Sequence, residues 1–159
     1  MNSFDELDLR ILDALQQDAS MTNEVLAQRV FSSPATVLRR VRALRESGAI
    51  EAIRATLSPA HMPAMLTAIC EVSLDQQNAD AFAAFEALIK RVASITQCYQ
   101  TAPTVDYTLV LTLRSMDEYN DIVQRVFTAA HNVRNLRTRF ATKRIKASLA
   151  LPVKPGADV

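Results

Sequence analysis

"SSPATVLRRVRALRESG", residues 32–48, decides how the first third of this chain folds. Ser33 suits a helix start, because its hydroxyl can accept a hydrogen bond from a free N–H of the first turn, and Pro34 follows where its missing N–H costs nothing. Gly48 suits the left-handed position that ends a helix. Advancing about 100° per residue with Val37 at zero, Val41 and Leu44 lie within about 40° and form one apolar stripe. On the same wheel Arg39 falls at about 200°, Arg42 at about 140°, Ala35 at about 160° and Thr36 at about 260°, all facing away from the stripe, while Arg40 and Arg45 flank it. The stretch therefore predicts a capped, basic helix over 33–47 with one buried face. Arg40 is placed to lie along the surface of the domain and to pair with a carboxylate or a phosphate.

Working towards the N-terminus, Thr22 can cap a helix over 23–30 whose Leu26, Ala27 and Val30 pack inward. Before it, Leu7, Ile11, Ala14 and Leu15 recur at helical spacing over 5–17, with Asp5, Glu6 and Asp8 in the favourable first turn. Leu9 and Leu12 fall on the far side of that helix, either as a contact with a second subunit or as scattered surface leucines. Two helices joined by a short turn, the second one capped and basic, form the pattern of a helix-turn-helix. A major groove about 12 Å wide admits such a helix, and arginine can donate two hydrogen bonds to guanine. A solvated basic face is the plainer reading of the same arginines.

The chain has 159 residues, 49% hydrophobic and 22% charged, with two glycines and six prolines, which is the composition of a folded globular protein. Its formal net charge of +1 conceals an uneven distribution: residues 134–146, "RNLRTRFATKRIK", hold six basic groups and no acid. Clustering rather than total charge governs attraction to phosphate, so nucleic acid stays open as a partner. Surface solubility and ion pairs between subunits explain the same run equally well. No apolar run is long enough to cross a bilayer and the first ten residues are acidic, so the protein is read as cytosolic. Cys70 and Cys98 have no metal-ligand spacing and are expected as small buried apolar residues.

Beyond residue 64 the pattern alternates between two periods. Leu66, Ala68, Cys70, Val72 and Leu74 step by two, as in a strand buried on one face. Phe82, Phe85, Ile89 and Val92 step as in a helix; 95–101 and 105–113 are strand-like again; Tyr119, Ile122, Val123, Val126 and Phe127 mark a second helix; and 133–149 closes the set as a strand. This order, strand-helix-strand-strand-helix-strand, is that of a ferredoxin-like βαββαβ domain. Two helices cover one face of such a sheet, which leaves Ile69 and Val110 wet on the other unless a second subunit covers them. The pattern itself thus predicts a dimer.

Catalysis finds little support. Only His61 and His131 exist, neither paired with a ligand or nucleophile at catalytic spacing, and no phosphate loop, GxSxG or HExxH occurs. Neither enzyme activity, nor a metal, nor a cofactor is expected.

Taken in order, Asp5, Asp8, Ile11-Leu12, Leu15 and Asp18, then Leu26-Ala27, Val30, Ser33-Pro34, Arg40-Val41, Leu44 and Gly48-Ala49-Ile50, followed by "LSP" at 57–59 and "VDYTLVL" at 105–111, resemble the leucine-responsive regulatory protein/AsnC, or feast/famine, family. The likeness spans essentially the whole chain. It implies an α+β protein: a winged-type helix-turn-helix domain over 1–50, a linking strand and hinge over 51–63, and a ferredoxin-like dimerisation and effector domain over 64–151; the polar, proline-containing end of the chain is read separately as a flexible tail over 152–159. It also implies a sequence-specific transcriptional regulator that binds double-stranded DNA, works as a homodimer or larger homo-oligomer, and answers to an amino acid or related small molecule. A small-molecule sensor or interaction protein of the same fold without specific DNA binding is the alternative. Carried onto this sequence, the DNA contacts are Ser33, Thr36, Arg39 and Arg42 with Arg40 in support, and the effector loop is Ala102, Pro103, Thr104, Asp106 and Tyr107. Three departures stand out. Phe31-Ser32 replaces a usual Gly-Leu, from which a slightly different turn is expected; Ala52-Ile53 replaces Gly-Tyr in the linking strand; and Pro103-Thr104-Val105-Asp106-Tyr107 replaces Gly-Asp-x-Asp-Tyr, removing a backbone donor and a carboxylate.

Overall fold

A computed structural model describes residues 4–58, 61–63 and 65–153; Pro59 of the "LSP" motif and residues 154–159 of the expected tail lie outside them. The chain divides into two compact units. One comprises Met1–Thr56 with Lys146–Val159, of which 4–56 and 146–153 are described; the other is Leu57–Ile145.

The first unit holds three helices, α1 (Glu6–Gln17), α2 (Asn23–Arg29) and α3 (Pro34–Glu46). Each start follows from its cap: Asp5 accepts from the Asp8 N–H, Thr22 from the Val25 N–H and Ser33 from the Thr36 N–H. The core is Ile11 and Ala14 of α1, Leu26 and Ala27 of α2 with Val30 behind it, and the Val37, Val41 and Leu44 stripe of α3. Leu12 packs against this core, which corrects its placement on the far side of α1. Gly48 ends α3 at φ 78, as its lack of a side chain allows.

The turn between α2 and α3 does not relax to suit its sequence. Phe31 takes the left-handed conformation at φ 57, where a slightly different turn was expected. The reason is the ending of α2: the Phe31 N–H donates to the Gln28 carbonyl at 3.3 Å and the Ser32 N–H to the Ala27 carbonyl at 2.9 Å. This paired closure requires a left-handed residue after the cap, whatever its side chain.

The second unit is β1 (Leu66–Leu74), α4 (Ala79–Ile89), β2 (Ile95–Gln100), β3 (Tyr107–Leu113), α5 (Met116–Val126) and β4 (Val133–Phe140). Its sheet is antiparallel throughout, in the order β2-β3-β1-β4. That is the βαββαβ ferredoxin-like arrangement. Ala68, Cys70, Val72 and Leu74 of β1 and Tyr107, Leu109, Leu111 and Leu113 of β3 turn to one face and pack on Phe85, Ile89, Ile122 and Val126 of the two helices. Each of these leucines contributes about 2 kcal/mol through burial.

β4 ends at Phe140 rather than continuing to residue 149. Its partner β1 begins at Leu66, and the last bond, from the Ala141 N–H to the Thr67 carbonyl at 2.8 Å, exhausts it. Residues 141–153 carry no helix or strand. The segment from Lys146 groups with the first unit, where Gln16 on α1 brackets the Leu151 backbone, donating to its carbonyl at 3.1 Å and accepting from its N–H at 2.6 Å. Residues 51–58, expected as a linking strand, have no ladder partner within the described chain. Cys70 is buried as expected, whereas Cys98 is exposed, because β2 is an edge strand with few covered positions.

Two capping carboxylates couple the fold to pH. Glu118 lies below the ordinary value of 4.5, chiefly because the Ser94 hydroxyl donates to it, and also because of the Arg114 N–H. Asp5 is lowered chiefly by the Asp8 N–H and further by Arg40. A carboxyl lowered in the folded state stabilises it above the unfolded value, and that contribution disappears as pH falls through the folded value. Thermal midpoints followed by circular dichroism should be level from pH 6 to 5 and fall below about pH 4.5, less steeply in Glu118→Gln. A midpoint that rises on acidification would contradict this assignment.

Candidate nucleic-acid interface and effector loop

The outward face of α3 carries Ala35, Leu38, Arg39 and Arg42, all exposed. Arg39 makes no ion pair or hydrogen bond among the described residues. Arg42 rests on Glu46 one turn on, with Nε 2.8 Å from Oε1, in a pair that solvent screens on both sides. At the head of the helix Ser33 accepts from the Thr36 N–H and donates its own proton to the Thr36 hydroxyl at 2.8 Å. The two residues therefore fix the helix start together.

Arg40 sits differently. One guanidinium nitrogen is 2.7 Å from Asp5 Oδ2 and the other 3.2 Å from both oxygens of Asp8, the two carboxylates that form the capping box of α1. Asp8 is buried, and the Nε of Arg40 has no partner among the described residues. Arg40 thus ties the start of α1 to the middle of α3, a structural pairing of the carboxylate kind that its position on the wheel allows.

Two residues beside this face were not among the expected contacts. Leu38, 55% exposed, lies at about 100° from Val37 on the same wheel and was legible there. Phe31, 86% exposed, precedes the helix, and periodicity carries no signal for a turn residue. Together the face offers two guanidinium groups for base acceptors and small or apolar side chains that can approach a thymine methyl.

In the second unit Ala102, Pro103 and Thr104 form the exposed tip of the loop between β2 and β3. The loop is drawn closed by the Thr101 N–H donating to the Asp106 carbonyl at 2.8 Å and the Thr101 hydroxyl to the Val105 carbonyl at 3.0 Å. The Asp106 carboxylate accepts from the Leu74 N–H at 2.7 Å and from the Gln77 amide at 2.9 Å, so it sets the loop on the end of β1. Tyr107 is 1% exposed, edge-on to Phe82 and tilted against Phe85, with its hydroxyl donating to Glu86 at 3.0 Å. Burial, reinforced by Glu86, pushes that hydroxyl well above the usual tyrosine range. Of the five residues expected at an effector, three lie at the tip; Asp106 and Tyr107 are committed to the fold, with Gln77 and Glu86 as partners that no sequence spacing announced.

The helix-free face of the sheet is partly open. Gln97, Val110, Ile69 and Arg139 stand in one register row and Tyr99, Thr108, Glu71 and Arg137 in the next, with Arg139 2.7 Å from Glu71. Ile69 is 37% and Tyr99 55% exposed. Among the described residues no helix is long and apolar enough to cross a membrane, and no cluster of metal-ligating side chains occurs.

Comparison with known proteins assigns both units. Residues 4–45 match the AsnC-type helix-turn-helix domain and residues 67–151 the Lrp/AsnC ligand binding domain. An uncharacterized HTH-type transcriptional regulator of Sinorhizobium fredii is 31% identical over 94% of this chain and 89% of its own length. The leucine-responsive regulatory protein of Salmonella typhimurium is 30% identical over 94% and 92%. Among solved structures, a transcriptional regulator of Neisseria meningitidis in complex with L-Met superposes with a TM-score of 0.84 at 29% identity, covering 95% of this chain and 97% of that one. An AsnC family regulator of Agrobacterium tumefaciens gives 0.85 at 25% identity, covering 94% and 97%. A capped basic helix in a three-helix unit, a ferredoxin-like unit after it and relatives that share both over nearly their whole length place this chain in the Lrp/AsnC family of transcriptional regulators.

Proposed function

We propose that the chain binds specific sequences of double-stranded DNA through α3, with Arg39 and Arg42 reading base edges, Ser33 and Thr36 fixing the helix start against the duplex, and Arg40 holding the helix in place from behind. The observation that carries this reading is the outward face of α3, where Arg39 has no partner among the described residues and no carboxylate stands before Glu46. One open guanidinium and a second held only by a solvent-screened pair, beside small side chains, suit the major groove, where each bidentate pair to guanine discriminates by about 1–3 kcal/mol.

The unit of action is a homodimer formed through the helix-free sheet face, with larger homo-oligomers built on it. Ile69, Val110 and Tyr99 supply the apolar centre and Glu71–Arg139 a polar rim. Two α3 helices then reach successive major grooves about one helical turn apart. The effector is a small molecule of the amino-acid class, supported by the L-Met complex of the Neisseria relative, and it meets Ala102, Pro103 and Thr104 at the loop tip. It acts by binding one arrangement of the subunits better than another, which changes how the paired helices align on DNA.

The test uses a duplex selected by the wild-type full chain from a random library. Arg39→Ala and Arg42→Ala should each weaken binding to it by about 1–3 kcal/mol in anisotropy titrations, with unchanged melting. Full affinity in both variants would take these arginines out of the reading head, and failure of the wild-type chain to select any duplex would leave it a sensor without specific DNA binding.

A further inference from the structure

We propose that Phe31 is a DNA-contacting residue, its ring lying against the apolar surface of the duplex, thymine methyl and deoxyribose, at the edge of the groove that α3 enters. This rests on the reading of α3 given above. It adds an apolar contact, from the turn rather than the helix, to a reading head otherwise made of arginines.

Three observations carry it. Phe31 holds a left-handed backbone at φ 57, a conformation that disfavours bulky L-residues, while the equivalent ending of α3 uses Gly48 at φ 78. Its ring is also 86% exposed, the largest exposure of any large apolar side chain among the described residues. The side chain therefore gives the folded chain neither an easy backbone nor burial, and strain without local compensation marks a position held for contact with something else. Finally, its sequence neighbourhood is cationic: from Val25 to Arg45 the chain holds five arginines and no carboxylate, and four arginines remain when Arg40 is set aside with Asp5 and Asp8. A twofold contact of this surface with its own copy would set arginine against arginine, whereas a polyanion satisfies both the charge and the ring. On duplex DNA the groups that accept an aromatic edge without needing a hydrogen bond are the thymine 5-methyl and the sugar.

The prediction has opposite signs in two measurements. Phe31→Gly should melt about 4 °C higher than wild type, because glycine occupies the left-handed position freely. The same variant should bind the library-selected duplex about tenfold more weakly. The slope of log affinity against log salt should stay as in wild type, since no phosphate contact is lost. Phe31→Asn, which also tolerates the backbone, should behave alike and guards against an effect peculiar to glycine. Replacing dT by dU in the duplex separates the two apolar sources: if the methyl is touched, wild type loses affinity and Phe31→Gly loses no more; if the sugar is touched, both respond equally, and the proposal stands in either case. Wild-type affinity in a stabilised Phe31→Gly overturns it, even while Arg39→Ala and Arg42→Ala still weaken binding and so uphold α3 as the reading helix. A change of assembly mass in sedimentation that accompanies the lost affinity also overturns it, because the ring would then belong to a protein contact. Undiminished binding in the two arginine variants fails the α3 reading instead.

Discussion

Arg40→Ala should destabilise the DNA-binding unit by about 2–4 kcal/mol, visible in calorimetry as a lowered transition for that unit while the ferredoxin-like unit melts as before. The guanidinium bridges Asp5 and Asp8, and the Asp8 side chain is only 12% exposed. Removing the cation leaves a carboxylate in a site made for a pair, and an orphaned charge of that kind costs more than the pair contributes. Asp8 keeps one hydrogen bond, from the Asp5 N–H at 3.3 Å, too long to compensate. Arg40→Lys should recover a part only, because an ammonium group cannot reach both carboxylates with a planar fork. Asp8→Ala combined with Arg40→Ala should cost less than the sum of the single changes, since the two share one interaction. If Arg40→Ala instead melts like wild type and loses only DNA affinity, its place is at the duplex and not behind α3.

Ile69→Lys should raise the dissociation constant of the proposed dimer by at least about 100-fold in sedimentation at graded concentrations. Ile69 stands between Val110 and Arg139 in one register row at the middle of the helix-free face. A twofold interface meets every residue twice, so the change introduces two cations into the contact, each beside an existing arginine. The residue is 37% exposed in the single chain, so the monomer itself should melt almost normally. Weaker binding to the selected duplex should follow, because two α3 helices then engage DNA independently. An unchanged mass in dilute solution would move the interface elsewhere.

Much of the architecture was readable because it rests on periodicity and caps. The stepping of Leu66, Ala68, Cys70, Val72 and Leu74 and the Val37, Val41 and Leu44 stripe predicted buried faces that the fold contains. Ser33-Pro34 and Gly48 bracket α3 because cap geometry is local. What escaped the sequence depends on partners that periodicity does not announce. The extent of β4 is set by where β1 begins, the committed hydrogen bonds of Asp106 and Tyr107 by Gln77 and Glu86, and the left-handed Phe31 by carbonyls in the preceding helix. Arg40 lay between the two kinds: its flank was legible, and its two carboxylates, 32 and more positions upstream, were not.

The clasp of Gln16 on Leu151 has a consequence for synthesis. The two residues are 135 positions apart, so the ribosome completes the three helices well before it supplies the strand of backbone that α1 grips. At ordinary elongation rates this interval is roughly ten seconds. During it the nascent helices stand on their own small core, and α1 gains this grip only after every strand and helix of the ferredoxin-like unit has been made.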